Sequence, residues 1–144
     1  KREDIPVFDL GNGSSIKVIA GESQGLVGPV KDLVVDVKYL DVSLSSRTVL
    51  EHEIPLDRNA FVFVYEGEML LGGNDARTVT AGSVAVLGEG DTLRFTVGRR
   101  PVKFMFASAK PLREPIAWGG PIVMNAREEL DVAFAELKNG AFIK

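Results

Sequence analysis

The stretch LEHEIPLDRNAFVFVYEGE, Leu50–Glu68, decides how this chain is read. Its second half, NAFVFVYEGE (Asn59–Glu68), alternates valines with aromatic side chains, a period of two that fits a pleated strand and no helix. Thr48–Ile54 and Ala60–Leu71 are accordingly read as strands, with a break between them. The segment also holds His52, the only histidine in the chain.

Working outward, the same rhythm recurs about every ten residues. Strands are expected at Ile5–Leu10, Ser15–Ala20, Leu33–Leu44, Ala76–Thr80, Val84–Leu87, Thr92–Val97 and Val102–Ala107. Between them stand turn signals: GNG at Gly11–Gly13, GGND at Gly72–Asp75, GEGD at Gly88–Asp91 and GRRP at Gly98–Pro101. Only Asn125–Asn139 departs from the pattern. There Leu130, Ala133, Phe134 and Leu137 share one stripe at helical spacing, Asn125 is placed to cap with Glu128 as its capping-box partner, and Gly140 marks the stop. Residues 110–124, with three prolines and a Gly-Gly pair, read as an irregular strap. The expected architecture is all-β: one domain over 1–144, made of a sandwich or barrel of two antiparallel sheets (1–109), the strap, and one C-terminal helix (125–139).

Composition narrows the function. The 144 residues are 45% hydrophobic and 26% charged with a net charge of −3, the balance of a globular domain without the basic surplus that nucleic acid requires. No apolar run approaches the ~20 residues of a membrane span, and no signal peptide is recognisable, so a cytoplasmic protein is expected, or a nuclear one in a eukaryote. The absence of cysteine removes disulfides, thiolate nucleophiles and cysteine-based metal sites. The first residue is Lys, which suggests a trimmed chain or a fragment.

NAFVFVYEGE (59–68), VTAGSVAVLGEGDTLRF (79–95) and GGPIVMNAREELDVAFAELKNGAFIK (119–144) together resemble the pirin family, in particular the second of the two cupin domains that pirins carry. The resemblance implies a cupin-type jelly roll, a double-stranded β-helix. Cupins generally hold iron, manganese, nickel or copper through histidines and a glutamate that converge inside the barrel. Pirins are linked to a quercetin 2,3-dioxygenase-like activity and, in eukaryotes, to iron-dependent transcriptional co-regulation, and both are tied to a metal in the first cupin.

The family's ligand positions can be counted onto this chain. With Gly67 as the closing glycine of the first motif, the glutamate position falls on Ala60 and the two histidine positions on Glu53 and Pro55, or on Ile54 and Leu56 with the shorter spacing. With Gly82 as the glycine of the second motif, its histidine position falls on Ala85. None of these can serve as the family's ligand. His52 lies one residue out of that register, and the pleat would then turn it to the opposite face, making Glu51–His52–Glu53 a solvated strand end. No catalytic, cofactor or metal residue is therefore assigned. The expectation is a metal-free domain, silent by itself, whose partner is an N-terminal pirin cupin carrying the metal, or a second copy. A small molecule in the empty barrel is the remaining possibility.

With Ala60 inward, parity sends Val62 and Val64 into the barrel and Phe61, Phe63 and Tyr65 outward, unless a bulge between Pro55 and Ala60 reverses it. Aromatic side chains each have ~150–250 Å² to bury, so a second layer is expected over them. Phe61, Phe63 and Tyr65, with Leu130, Phe134 and Leu137 on the helix, are the candidate interface residues. A nucleophilic triad would have to use His52 and has no G-x-S-x-G elbow, and the pairs Glu66/Glu68 and Glu128/Glu129 read as a turn and a helix start. Arg99 and Arg100 are too few for a phosphate site, and the GGND and GEGD segments read as hairpin turns.

Overall fold

The computed structural model describes residues 2–143, which fall into two compact units, 2–111 and 112–143. After a single 3-10 turn at Arg2–Asp4, the first unit contains β1 (Val7–Gly11), β2 (Ser14–Ala20), β3 (Glu22–Ser23), β4 (Leu26–Val27), β5 (Val37–Leu44), β6 (Val49–Glu53), β7 (Asn59–Glu66), β8 (Glu68–Leu71), β9 (Arg77–Thr80), β10 (Ser83–Val86), β11 (Thr92–Val97) and β12 (Val102–Ala109). The second contains β13 (Ala117–Gly119), β14 (Ile122–Met124) and α1 (Arg127–Lys138).

Six strands form one antiparallel sheet in the order β1-β2-β5-β12-β7-β10, and four form another in the order β6-β11-β8-β9. These are the two sheets of an all-β jelly roll, the architecture that the resemblance implies. Alternate residues from both sheets fill one core: Leu40, Val42 and Leu44 from β5, Val62 and Val64 from β7, Phe104 and Phe106 from β12, Phe95 and Val97 from β11. Phe95 and Phe104, one from each sheet, stack with ring centroids 4.7 Å apart.

The run Ala60–Leu71 is two strands rather than one. Gly67 separates β7 in the larger sheet from β8 in the smaller, at a φ of +81° that suits glycine. A Cβ at Gly67 would collide with the Pro101 carbonyl oxygen, so the corner closes only because none is present. The register slip in this region falls beside Tyr65, where Phe104 faces Val64 and Lys103 faces Glu66, at the other end of β7 from the Pro55–Ala60 segment. Strand β5 starts at Val37, later than the Leu33 expected, and Asp32 before it takes a positive φ. The short β3–β4 hairpin lies in a stretch where alternation gave no signal.

The second unit corrects two expectations. The strap is partly regular: Ala117–Gly119 pairs with Ile122–Met124 as a hairpin. The helix is capped at Ala126, not Asn125, and the partner is Glu129, not Glu128. Glu129 accepts from the backbone N–H groups of Asn125 (2.9 Å) and Ala126 (3.0 Å), while the Asn125 amide donates instead to Glu114 (2.8 Å). At the other end Gly140, at φ +71°, completes a Schellman turn in which Ala141 N–H donates to Glu136 and Gly140 N–H to Leu137.

The two fold glycines differ in a way that can be measured. Gly82 also has a positive φ, +85°, but a Cβ there would meet nothing within 4 Å. Gly82→Ala is expected to cost only the left-handed backbone penalty, roughly 1–2 kcal/mol, and Gly67→Ala clearly more because a backbone clash is added. Urea denaturation of both variants checks the order, and equal losses would contradict the corner role of Gly67.

Candidate functional site

Inward-facing polar groups gather at one end of the barrel. Lys38, Ser108 and Ala60 lie side by side across β5, β12 and β7, since Ser108 registers with both of the others. Ser108 and Ala60 are buried and Lys38 is half-buried. The β6–β7 turn is held over this end by Arg58, which donates to the Asp36 carbonyl at 3.1 Å, lies 3.4 Å from that of Ser108, and pairs with the Asp36 carboxylate.

His52 belongs to this end too, which corrects the expectation of a solvated side chain. Along β6, Leu50 and His52 turn inward while Val49, Glu51 and Glu53 are exposed, and Ile54 beyond the strand is buried. Parity carried from β7 to β6 gives the wrong face, because the two strands lie in different sheets and the turn between them breaks the count. The imidazole packs edge-on against Phe106 with centroids 4.7 Å apart. Its Nε2 is buried without a hydrogen-bond partner, a deficit worth about 1–3 kcal/mol. Burial, then the positive charge of Lys38, pull its pKa from 6.5 down to about 4, so the ring is neutral at neutral pH.

His52 and Lys38 line a groove of about 900 Å³ whose walls include Ser23, Ile54 and Leu56 and whose rim carries Glu22, Glu51, Glu53 and Asp91. Glu51 is paired with Arg94 at 3.2 Å.

The cupin metal does not fit these residues. Ala60, at the glutamate position, and Ala85, opposite Val62 on β10, offer only methyl groups, and Glu53 and Leu56 are exposed. Among the described residues no three His, Cys, Asp or Glu side chains converge as a metal site. The one inward imidazole lies beside an ammonium group, which repels a divalent cation.

The remaining candidates lie elsewhere. On the outer face of the larger sheet, Phe61 is 42% and Tyr65 41% exposed, with Phe63 half-buried between them. Tyr65 donates to Asp41 at 2.6 Å, Asp41 also pairs with Lys17 at 3.2 Å, and Tyr39 reaches Met105 Sδ at 3.5 Å. Phe63, Tyr65, Ile19 and Met105 border a shallow depression of about 350 Å³ on that face. Partial burial, and then Asp41, push the Tyr65 phenol upward in pKa. In the second unit Leu130 is not a surface residue: it is 1% exposed and packs with Ile122 and Ala133. Phe134 and Leu137 stay 40% and 51% exposed.

His52 makes the fold sensitive to acid. The unfolded chain takes up its proton near pH 6.5 and the folded chain only near about 4, so stability is full above that window and falls as pH drops through it. Relative to His52→Leu, the parent chain is expected to lose on the order of 2 kcal/mol between these limits, followed by urea denaturation at stepped pH. A difference that does not change with pH would place the imidazole in solvent.

Comparison with known proteins fits this geometry. The Pirin C-terminal cupin domain family matches residues 39–143. The chain is 38% identical over 141 residues to a pirin-like protein of Caulobacter vibrioides, covering 97% of this chain and 50% of that one. It is 32% identical over 142 residues to human pirin, covering 96% and 48%. The crystal structure of a quercetin 2,3-dioxygenase from Acinetobacter baumannii superposes with a TM-score of 0.89 at 29% identity, over all of this chain and 49% of that one. The chain thus spans about half the length of the relatives it matches. With matching sequence, the same sheets and the scaffold glycines in place, the chain belongs to the pirin family and carries that family's C-terminal cupin domain.

Proposed function

We propose that this cupin is the non-catalytic half of a pirin: metal-free, silent by itself, and acting as a structural and interaction domain. The observation that carries this reading is the set of inward positions at and just below the barrel mouth. Ala60, in the row with Ser108 and Lys38, and Ala85, one row deeper opposite Val62, offer methyl groups where donors would be needed, and Lys38 adds a positive charge beside His52. Retaining three inward ligands would have required carboxylate or imidazole at those positions.

The interaction half of the proposal rests on the outer sheet face. Phe61, Phe63, Tyr65 and Met105 offer apolar area with polar groups, Asp41 and Lys17, at its edge, the makeup of a protein contact with a buried centre and a polar rim. The partner proposed is an N-terminal pirin cupin, which the half-length match to the relatives supports, with a second copy of this chain as the competitor. A second reading comes from the activity for which the A. baumannii relative is named: the chain completes a quercetin 2,3-dioxygenase whose metal lies in that first cupin. In either case the chemistry needs another polypeptide segment.

Elemental analysis of the purified, untagged chain is expected to find no stoichiometric transition metal, and oxygen uptake with quercetin is expected at the blank rate. Addition of a separately produced pirin N-terminal cupin is expected to restore uptake if the second reading holds and to form a silent complex otherwise. A bound metal with uptake by the chain alone would overturn the proposal.

A further inference from the structure

The groove at the barrel mouth has the parts of a ligand site of a different kind. Lys38 is half-buried, faces inward, and has no carboxylate within ion-pair distance among the described residues, whereas Lys17, Lys103 and Lys110 each have one. An ammonium group partly withdrawn from water and left without a counter-ion gains from an arriving anion. Beside it stand the imidazole with its unpartnered Nε2 and the buried hydroxyl-bearing Ser23. Ile54 and Leu56 supply an apolar wall. The volume, about 900 Å³, lies within the roughly 300–1,000 Å³ usual for small-molecule pockets.

We propose that this groove binds a small organic monocarboxylate bearing hydroxyl or amino groups, its carboxylate against Lys38 and its donor groups against the rim. The charge arrangement selects this class. One lysine supplies one positive charge and no planar fork, so it suits a single carboxylate better than a phosphate. The rim residues Glu22, Glu53 and Asp91 add negative charge that repels a dianion, yet their oxygens accept hydrogen bonds from hydroxyl or ammonium groups. An apolar body then lies against Ile54 and Leu56. None of this depends on a docked first cupin, because Phe61, Phe63 and Tyr65 occupy the other face of the sheet from Lys38 and Ala60.

The test is an amide NMR titration of the isotopically labelled chain with salicylate, lactate and glycine in turn, with inorganic phosphate for comparison. At least one of the three carboxylates is expected to give saturable shifts centred on Lys38, His52 and Ser23. Its affinity is expected to drop by about tenfold or more in Lys38→Met and to be kept in Lys38→Arg, while Lys103→Met on the outer face leaves it unchanged. The amide spectrum reports whether each variant is folded, and Lys38→Gln replaces Lys38→Met if that one is not. Failure of all three carboxylates to saturate, equal or tighter binding of phosphate, or undiminished binding by the charge-removed variant would each overturn the proposal.

Discussion

Strand β12 is paired on both edges, with β5 on one side and β7 on the other, over nearly its whole length. This double pairing fixes which of its side chains face in: Val102, Phe104, Phe106 and Ser108. A slip of one residue would bring Lys103 and Met105 into the core and expel both phenylalanines, so the register has no near competitor. Phe104 then meets Phe95 across the gap between the sheets, and Phe106 forms the floor on which His52 lies. The sheets, the core and the mouth of the barrel all inherit their arrangement from this one strand.

At the mouth the cupin fold is kept, and the positions counted for cupin ligands on β7 and β10 carry the methyl groups of Ala60 and Ala85. In the same cross-strand row, Ser108 is flanked by Lys38 and by Ala60, which sets a cation and a methyl group near the lone inward imidazole. Desolvation and Lys38 act on His52 in the same sense, each favouring the neutral ring. A divalent ion beside His52 would meet that charge with one inward nitrogen and only the exposed rim carboxylates, which do not converge with it as a metal site among the described residues, while the carboxylate of an organic anion would be drawn to Lys38. The metal chemistry of cupins and the groove proposed for this chain are thus opposite answers to the sign of one side chain.

Much of this is legible in the sequence. The alternation in NAFVFVYEGE places Ala60, Val62 and Val64 inward and the aromatics outward, and the three segments that resemble pirins name the fold. Counting from Gly67 and Gly82 also brings Ala60 and Ala85 to the ligand positions. Inference fails where it crosses a sheet boundary or depends on competition between polar groups. Parity turns His52 to the wrong face because a period of two holds only within one strand. Lys38 escapes notice because a lysine at the start of a strand shows nothing of its partners until the opposite strands are known. Asn125 has the right chemistry for a cap, but Glu114 takes its amide and Ala126 becomes the cap residue. Three prolines hide the Ala117–Met124 hairpin, which turns through Gly120 and Pro121 between its strands.

The most direct test of the central claim, that an inward lysine and alanines have replaced the cupin ligand set, is a crystal structure of the chain grown with excess ferrous iron and measured at the iron absorption edge. The account expects no anomalous peak inside the barrel and the Lys38 ammonium in the groove beside a neutral His52. An iron atom bonded to His52 within the barrel would contradict it.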